Sequence, residues 1–93
     1  MSELASDLAE LVTANHILAR EDVLDAFGHV SLRSPQADGE YFISRSRSPE
    51  LVVVEDLQRY DLDSKLLGDD ERRGYIERVI HGGIYKARPD VKA

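Results

Sequence analysis

The run Pro35-Gln36-Ala37-Asp38-Gly39 constrains this chain most. Proline presets its own φ, aspartate bonds its neighbouring backbone, and glycine accepts positive φ, so the run predicts a turn. Before it, His29-Val30-Ser31-Leu32-Arg33 alternates polar and apolar residues as a half-buried strand does. After it, Tyr41-Phe42-Ile43 are β-formers. Two short strands joined by so short a connection pair antiparallel, and Gly28 punctuates the chain just ahead of them. A lone hairpin is barely stable in water, so the flanking segments must cover it.

Those flanks read as helices. From Ser2 to Arg20 the apolar residues Leu4, Leu8, Leu11, Val12, Ile17 and Leu18 fall on one stripe, with Ser2 as N-cap and Glu3 in the first turn. This is a packing face and is assigned no chemistry. Asp69 to Ala87 reads as a second helix with an acidic start, ended by Pro89. Ile76, Val79, Ile80 and Tyr85 are its expected buried face, with Arg72, Arg73 and Arg78 pointing elsewhere. Gly82 and Gly83 together cost a helix about 2 kcal/mol relative to alanines. Their presence signals either close packing against a backbone or ligand, or a plain local weakness. Between hairpin and helix, Ser44 to Pro49 reads as a loop, Leu51 to Leu57 as mixed strand and helical turn, Tyr60 to Leu62 as a short strand and Asp63 to Gly68 as a turn. The class is α/β.

With 93 residues the chain makes at most one domain, whose core is marginal alone. At 42% hydrophobic and 32% charged it is a globular composition with no stretch apolar enough for a membrane span. Zero cysteines exclude disulfides and thiolate metal sites, and acidic, polar-interrupted Met1 to Arg20 is not built like a signal peptide, so the expectation is cytoplasmic. A net charge of −6 argues against nucleic acid, which is held by clustered Lys and Arg. A local basic spot on an acidic chain suits a small anion better.

That spot is Ser44-Arg45-Ser46-Arg47-Ser48, which offers hydroxyls, backbone N–H groups and two guanidiniums. It reads as an anion site, a solvated basic loop or a phosphorylation target. Glu77, His81 and Tyr85 are four apart, so on a helix a carboxylate, an imidazole and a phenol share a face. They suit a metal or a shared proton, although spacing alone favours a satisfied surface pair, and two residues close no metal site. His16, His29 and His81 show no metal-ligand spacing, and phosphate loops and nucleophile elbows are absent.

Three pieces in order carry a resemblance: Gly28-His29-Val30-Ser31-Leu32-Arg33, Ile43-Ser44-Arg45-Ser46, and Glu77-Arg78-Val79-Ile80-His81 running on to Ile84-Tyr85-Lys86-Ala87-Arg88-Pro89-Asp90-Val91. Together they resemble the class II aldolase/adducin family of sugar-phosphate aldolases and epimerases, over nearly the whole chain. The resemblance implies the N-terminal portion of a three-layer α/β/α domain, ordered helix, β-hairpin, loop, short strand, helix. In the family the last helix leads through Arg-Pro-Asp into a strand ending in a His-x-His metal motif. The expectation is therefore a domain truncated before its metal-ligand strand, with no metal ligand in this chain and the family's histidines beyond Ala93.

Position by position, Glu77 matches the family's catalytic acid/base, while His29, Ser31, Ser44, Arg45 and Ser46 match sites that hold the substrate's phosphate or carboxylate. Sugar-phosphate aldolases usually have Gly-Asn-Val-Ser in place of Gly28-His29-Val30-Ser31, and Thr-Pro-x-Gly in place of Ser44-Arg45-Ser46-Arg47. The Ser-Arg-Ser loop and Glu-Arg-x-Ile-His helix are more similar to the branch that decarboxylates hydroxylated aromatic or pyridine carboxylic acids, where Arg45 or Arg47 would grip a carboxylate. The resemblance implies a lyase using a divalent metal such as Zn or Mn in the full-length protein, a small anionic substrate, and a homo-oligomer, commonly a tetramer. This chain alone would be inactive. The alternatives are a sugar-phosphate aldolase or epimerase, and a non-catalytic adducin-like interaction module.

Overall fold

The computed structural model describes residues 3–21, 28–68, 70 and 72–93. Helix α1 spans Glu3–Arg20; the strands β1 (Ser31–Arg33), β2 (Glu40–Ser44) and β3 (Leu57–Asp61) follow; helix α2 spans Arg78–Ala87. The expected N-cap Ser2 lies outside the described residues.

The hairpin forms as its turn dictates, pairing Ser31 with Ile43 and Arg33 with Tyr41. On the other side β2 takes β3, with Glu40 opposite Asp61 and Ser44 opposite Leu57, giving an antiparallel sheet ordered β1-β2-β3. The third strand thus begins three residues earlier than expected. Val54 opens the second of two short 3₁₀ turns, Pro49–Leu51 and Val54–Asp56, Val52 and Val53 lie between the two, and none of the three is in a strand. Their β-propensity loses to local hydrogen bonding, because the Asp56 carboxylate accepts the Val53 N–H at 3.0 Å and folds the segment back. His16 Nε2 donates to the Val52 carbonyl at 2.7 Å and ties α1 to that segment. In α1 the buried positions are Leu11 and Asn15, whereas Ile17, expected on the inward stripe, is exposed.

The core is aromatic. All four tyrosines of the sequence, Tyr41, Tyr60, Tyr75 and Tyr85, are buried with Ile43, and Leu62, Leu66 and Val91 pack against them. A buried phenol must find a partner for its hydroxyl. Tyr41 donates to the Arg78 carbonyl at 2.9 Å, Tyr60 to Gln58 Oε1 at 2.7 Å and Tyr75 to the Arg47 carbonyl, while Tyr85 meets Ser31 Oγ at 2.7 Å. These bonds tie the core to β1, β3, the start of α2 and the loop at Arg47.

The second helix starts at Arg78, nine residues later than expected. Residues 72–74 are held extended by contacts distant in sequence: Gln58 donates to the Arg72 carbonyl at 2.9 Å, Ser46 N to the Arg73 carbonyl at 2.8 Å, and Arg45 bridges Gly74. Gly74 is required there, since a Cβ would lie 2.1 Å from the Tyr60 hydroxyl. The expected buried face also shifts. Ile76, Val79 and Ile80 are 71%, 58% and 58% exposed, and of the residues expected inside only Tyr85 is buried. Gly82 sets the inward face by approaching the Leu62 carbonyl, 2.7 Å from where a Cβ would stand. Arg78, His81 and Tyr85 share that face, so Arg78 points inward, its Cζ 5.1 Å from the centroid of the Tyr60 ring. Gly82 thus serves close packing; Gly83 meets nothing.

Candidate functional site

Two hollows flank the start of α2. The smaller, about 220 Å³, lies between β1 and α2 and is lined by His29, Ser31, His81, Ile84, Tyr85 and Val91 among others. The larger, about 600 Å³, lies between the 46–48 loop and the segment leading into α2. One aromatic pair stands between them: Tyr75 lines the larger, His29 the smaller, and their ring centroids are 5.0 Å apart.

The smaller hollow holds a continuous chain of polar groups. His29 Nδ1 is 2.7 Å from His81 Nε2, His81 Nδ1 is 2.6 Å from Ser31 Oγ, and Ser31 Oγ is 2.7 Å from the Tyr85 hydroxyl. Each group has one proton to give and one lone pair to fill, so the chain is satisfied in either direction. Burial, then the neighbouring His29, pushes the His81 imidazole down to about 4, which keeps it neutral at pH 7. Burial likewise raises the Tyr85 phenol. Arg33 closes the C-terminal end of α2, donating to the carbonyls of Tyr85 and Arg88 at 2.8 and 3.2 Å and to Val91 at 2.8 Å.

The larger hollow is lined by Ser46, Arg47, Ser48, Arg73, Gly74, Tyr75, Ile76 and Glu77. Its loop is organised by Asp56, 2% exposed, which accepts from Arg45 Nε at 2.7 Å and from an Arg47 terminal nitrogen at 3.1 Å. Burial alone would push the Asp56 carboxyl up; the hydrogen bonds from Arg45 and Val53 and the charges of Arg47 and Arg45 outweigh it and hold the group below the ordinary carboxylate value. Arg72 forks onto Asp70 and stands 3.8 Å from Asp56. Glu77 is the N-cap residue of α2, with φ −69° and ψ −2°, and is exposed to the hollow.

The structure therefore sorts the residues singled out from sequence into two groups. Glu77 and Ser46 share the larger hollow. His29 and Ser31 line the smaller one with His81, while Ser44 is buried at the end of β2, and Arg45 is engaged by Asp56 and does not line either hollow. Glu77, His81 and Tyr85 do not act as a row: Glu77 faces the open hollow and His81 turns to His29 and Ser31. Sequence reasoning missed Asp56, Arg73 and Tyr75. The one signal for Asp56 was the loop itself, since two neighbouring arginines need a counter-charge.

No group of three or more His, Cys, Asp or Glu able to hold a metal ion exists among the described residues. Nor is any described helix long and apolar enough to cross a membrane.

Comparison with known proteins places this geometry. The family model for the class II aldolase and adducin N-terminal domain matches residues 9–93. The chain is 39% identical over 84 residues to decarboxylase TropJ of Talaromyces stipitatus, covering 88% of this chain and 32% of that protein. Among solved structures, L-fuculose 1-phosphate aldolase from Glaciozyma antarctica superposes with a TM-score of 0.85 at 27% identity, over 97% of this chain and 39% of that one. An aldolase II superfamily protein from Pseudomonas syringae superposes at 0.83 and 24% identity, over 99% of this chain and 39% of its own, a likeness of fold alone. The chain thus spans about a third of the curated relative and two-fifths of each solved chain. It has the fold of the N-terminal portion of class II aldolases and belongs to the class II aldolase and adducin family.

Proposed function

We propose that the protein is a carbon–carbon lyase that decarboxylates a hydroxylated aromatic or pyridine carboxylate, with Glu77 managing the proton. The observation that carries this reading is the shared hollow, in which the Glu77 carboxylate stands across from the Ser46-Arg47-Ser48 loop. Kinship to a decarboxylase at 39% identity supports it over other family chemistries. In the reaction the carbon–carbon bond breaks, its electron pair stays on the ring carbon, and that carbon takes up a proton as carbon dioxide leaves. A carboxyl group within reach of the ring carbon supplies that proton. The exposed Glu77 side chain in the hollow fits the task, and Ser46 supplies a hydroxyl to the substrate's anionic end. Arg45 and Arg47 act on that subsite indirectly, through their hold on Asp56, while His29, Ser31 and Ser44 lie outside the larger hollow.

Class II aldolases generally depend on a divalent metal, and metal dependence, a homo-oligomeric assembly, commonly tetrameric, and a cytoplasmic setting belong to the same proposal. The residues described here do not themselves make a metal site. Glu77 offers a single carboxylate, His29 Nδ1 and His81 Nε2 are engaged with each other at 2.7 Å, and His81 Nδ1 is engaged with Ser31.

Two other readings have an observation each. A sugar-phosphate aldolase or epimerase is favoured by the match to the fuculose 1-phosphate enzyme. A non-catalytic adducin-like module is favoured by the exposed Ile76, Val79, Ile80 and Ile84 on and beside α2. Carbon dioxide release by the full-length protein, assayed on a panel of hydroxybenzoates and hydroxypyridine carboxylates with sugar phosphates as controls, decides among them. Decarboxylation that falls about 100-fold or more in Glu77→Gln is expected; turnover of sugar phosphates alone, or of nothing, sinks the reading.

A further inference from the structure

The four arginines near the larger hollow are not equivalent. Arg45 and Arg47 are held by Asp56, and Arg72 forks onto Asp70 at 2.8 and 3.0 Å. Each therefore already has a carboxylate. Arg73 differs: it lines the hollow, its side chain is exposed, and among the described residues its guanidinium makes no hydrogen bond or ion pair. Its backbone is nonetheless fixed. The carbonyl of Arg73 accepts from Ser46 N at 2.8 Å, the carbonyl of Arg72 accepts from Gln58 at 2.9 Å, and Gly74 is bridged to Arg45. A guanidinium on a pinned stem, facing a hollow and unpaired among the described residues, is a cation placed to meet an incoming anion.

The rest of the wall says what kind of anion. Tyr75 and Ile76 continue the same segment, and Ile76, 71% exposed, lines the same hollow as Arg47 and Arg73. An apolar flank next to a cation suits a flat, apolar body with an anionic end, and offers little to a polyhydroxylated sugar. Resting on the reading of this hollow as the active site, we propose that Arg73 grips the carboxylate of an aromatic acid whose ring lies against Ile76 and Tyr75, and thereby selects the substrate.

Arg73 acts in binding more than in the chemical step. As carbon dioxide departs, negative charge moves from the carboxylate into the ring, so a cation on the carboxylate holds the ground state at least as firmly as the transition state. Removing Arg73 therefore raises KM and leaves kcat unchanged or higher.

The test uses the full-length protein with two probes, 2-hydroxybenzoate and phenol, which share a ring but differ in the carboxylate, titrated by calorimetry into the wild type, Arg73→Ala and Arg73→Lys. Loss of a charge-assisted contact is expected to weaken 2-hydroxybenzoate by about tenfold or more in Arg73→Ala, with phenol unaffected and partial recovery in Arg73→Lys, a point charge without the fork. If the wild type and Arg73→Ala bind 2-hydroxybenzoate equally, or if both probes weaken together, the assignment to Arg73 is overturned while the role of Glu77 stands. If the wild type binds neither probe, the reading of the hollow falls with it.

Discussion

The two hollows beside α2 both carry polar groups, imidazoles and hydroxyls in the smaller and guanidiniums and a carboxylate in the larger, and the two sets are treated in opposite ways. In the smaller, His29, His81, Ser31 and Tyr85 spend their hydrogen-bonding capacity on one another. Behind the larger, Asp56 holds Arg45 and Arg47, while Glu77 and Arg73 line the open hollow. Polar groups satisfied internally stabilise a fold; polar groups held in place yet left open cost stability and are free to meet a ligand. Sequence alone ranks His29, Ser31 and Glu77 together as site residues. Their surroundings separate them, and changes at each should register on different observables.

The largest expected effect on stability lies under the open hollow. Asp56→Asn keeps the shape but removes the buried counter-charge for Arg45 and Arg47, and should cost about 2–3 kcal/mol, measured by urea unfolding of the full-length protein. A loss near zero would mean that solvent, and not Asp56, sets the loop. Next is the closed chain: Ser31→Ala strands His81 Nδ1 and the Tyr85 hydroxyl and should cost about 1–2 kcal/mol. If it instead leaves stability intact and raises KM, Ser31 belongs to the substrate and the division drawn here is wrong.

A further effect is a pH dependence in the closed chain. The folded His81 titrates near 4, below the ordinary 6.5, because it is buried and faces His29. As pH falls, the unfolded chain takes up that proton first, so stability drops through the window from about 6.5 to about 4. His29 beside it, Tyr41 with its ring 6.5 Å away, and Tyr85 through Ser31 are the other titratable groups in contact. His81→Gln should flatten that part of the profile; an unchanged slope would place the titration elsewhere.

Local signals were legible and distant ones were not. The hairpin followed from Pro35 to Gly39 and the end of α2 from Pro89, because turns and breakers act over a few residues. The start of α2 was misplaced because Gln58, Ser46 and Arg45 hold residues 72–74 out of the helix, and no local pattern announces them. Misplacing the start also misassigned Ile76, Val79 and Ile80 to the inside. Glu77 and Ser46 are singled out by the resemblance, and the fold brings both to the larger hollow. The pairing of His29 with His81 spans 52 residues, and the clamp at Asp56 joins two loops, so both emerged only with the fold.

The central claim is that Glu77 is placed for chemistry and not for stability. The most direct test measures kcat and thermal midpoint together for Glu77→Gln in the full-length protein. The account predicts that decarboxylation falls by about 100-fold or more while the midpoint stays within a degree or so, as expected for an exposed side chain. Undiminished turnover, or a midpoint that collapses along with activity, would contradict it.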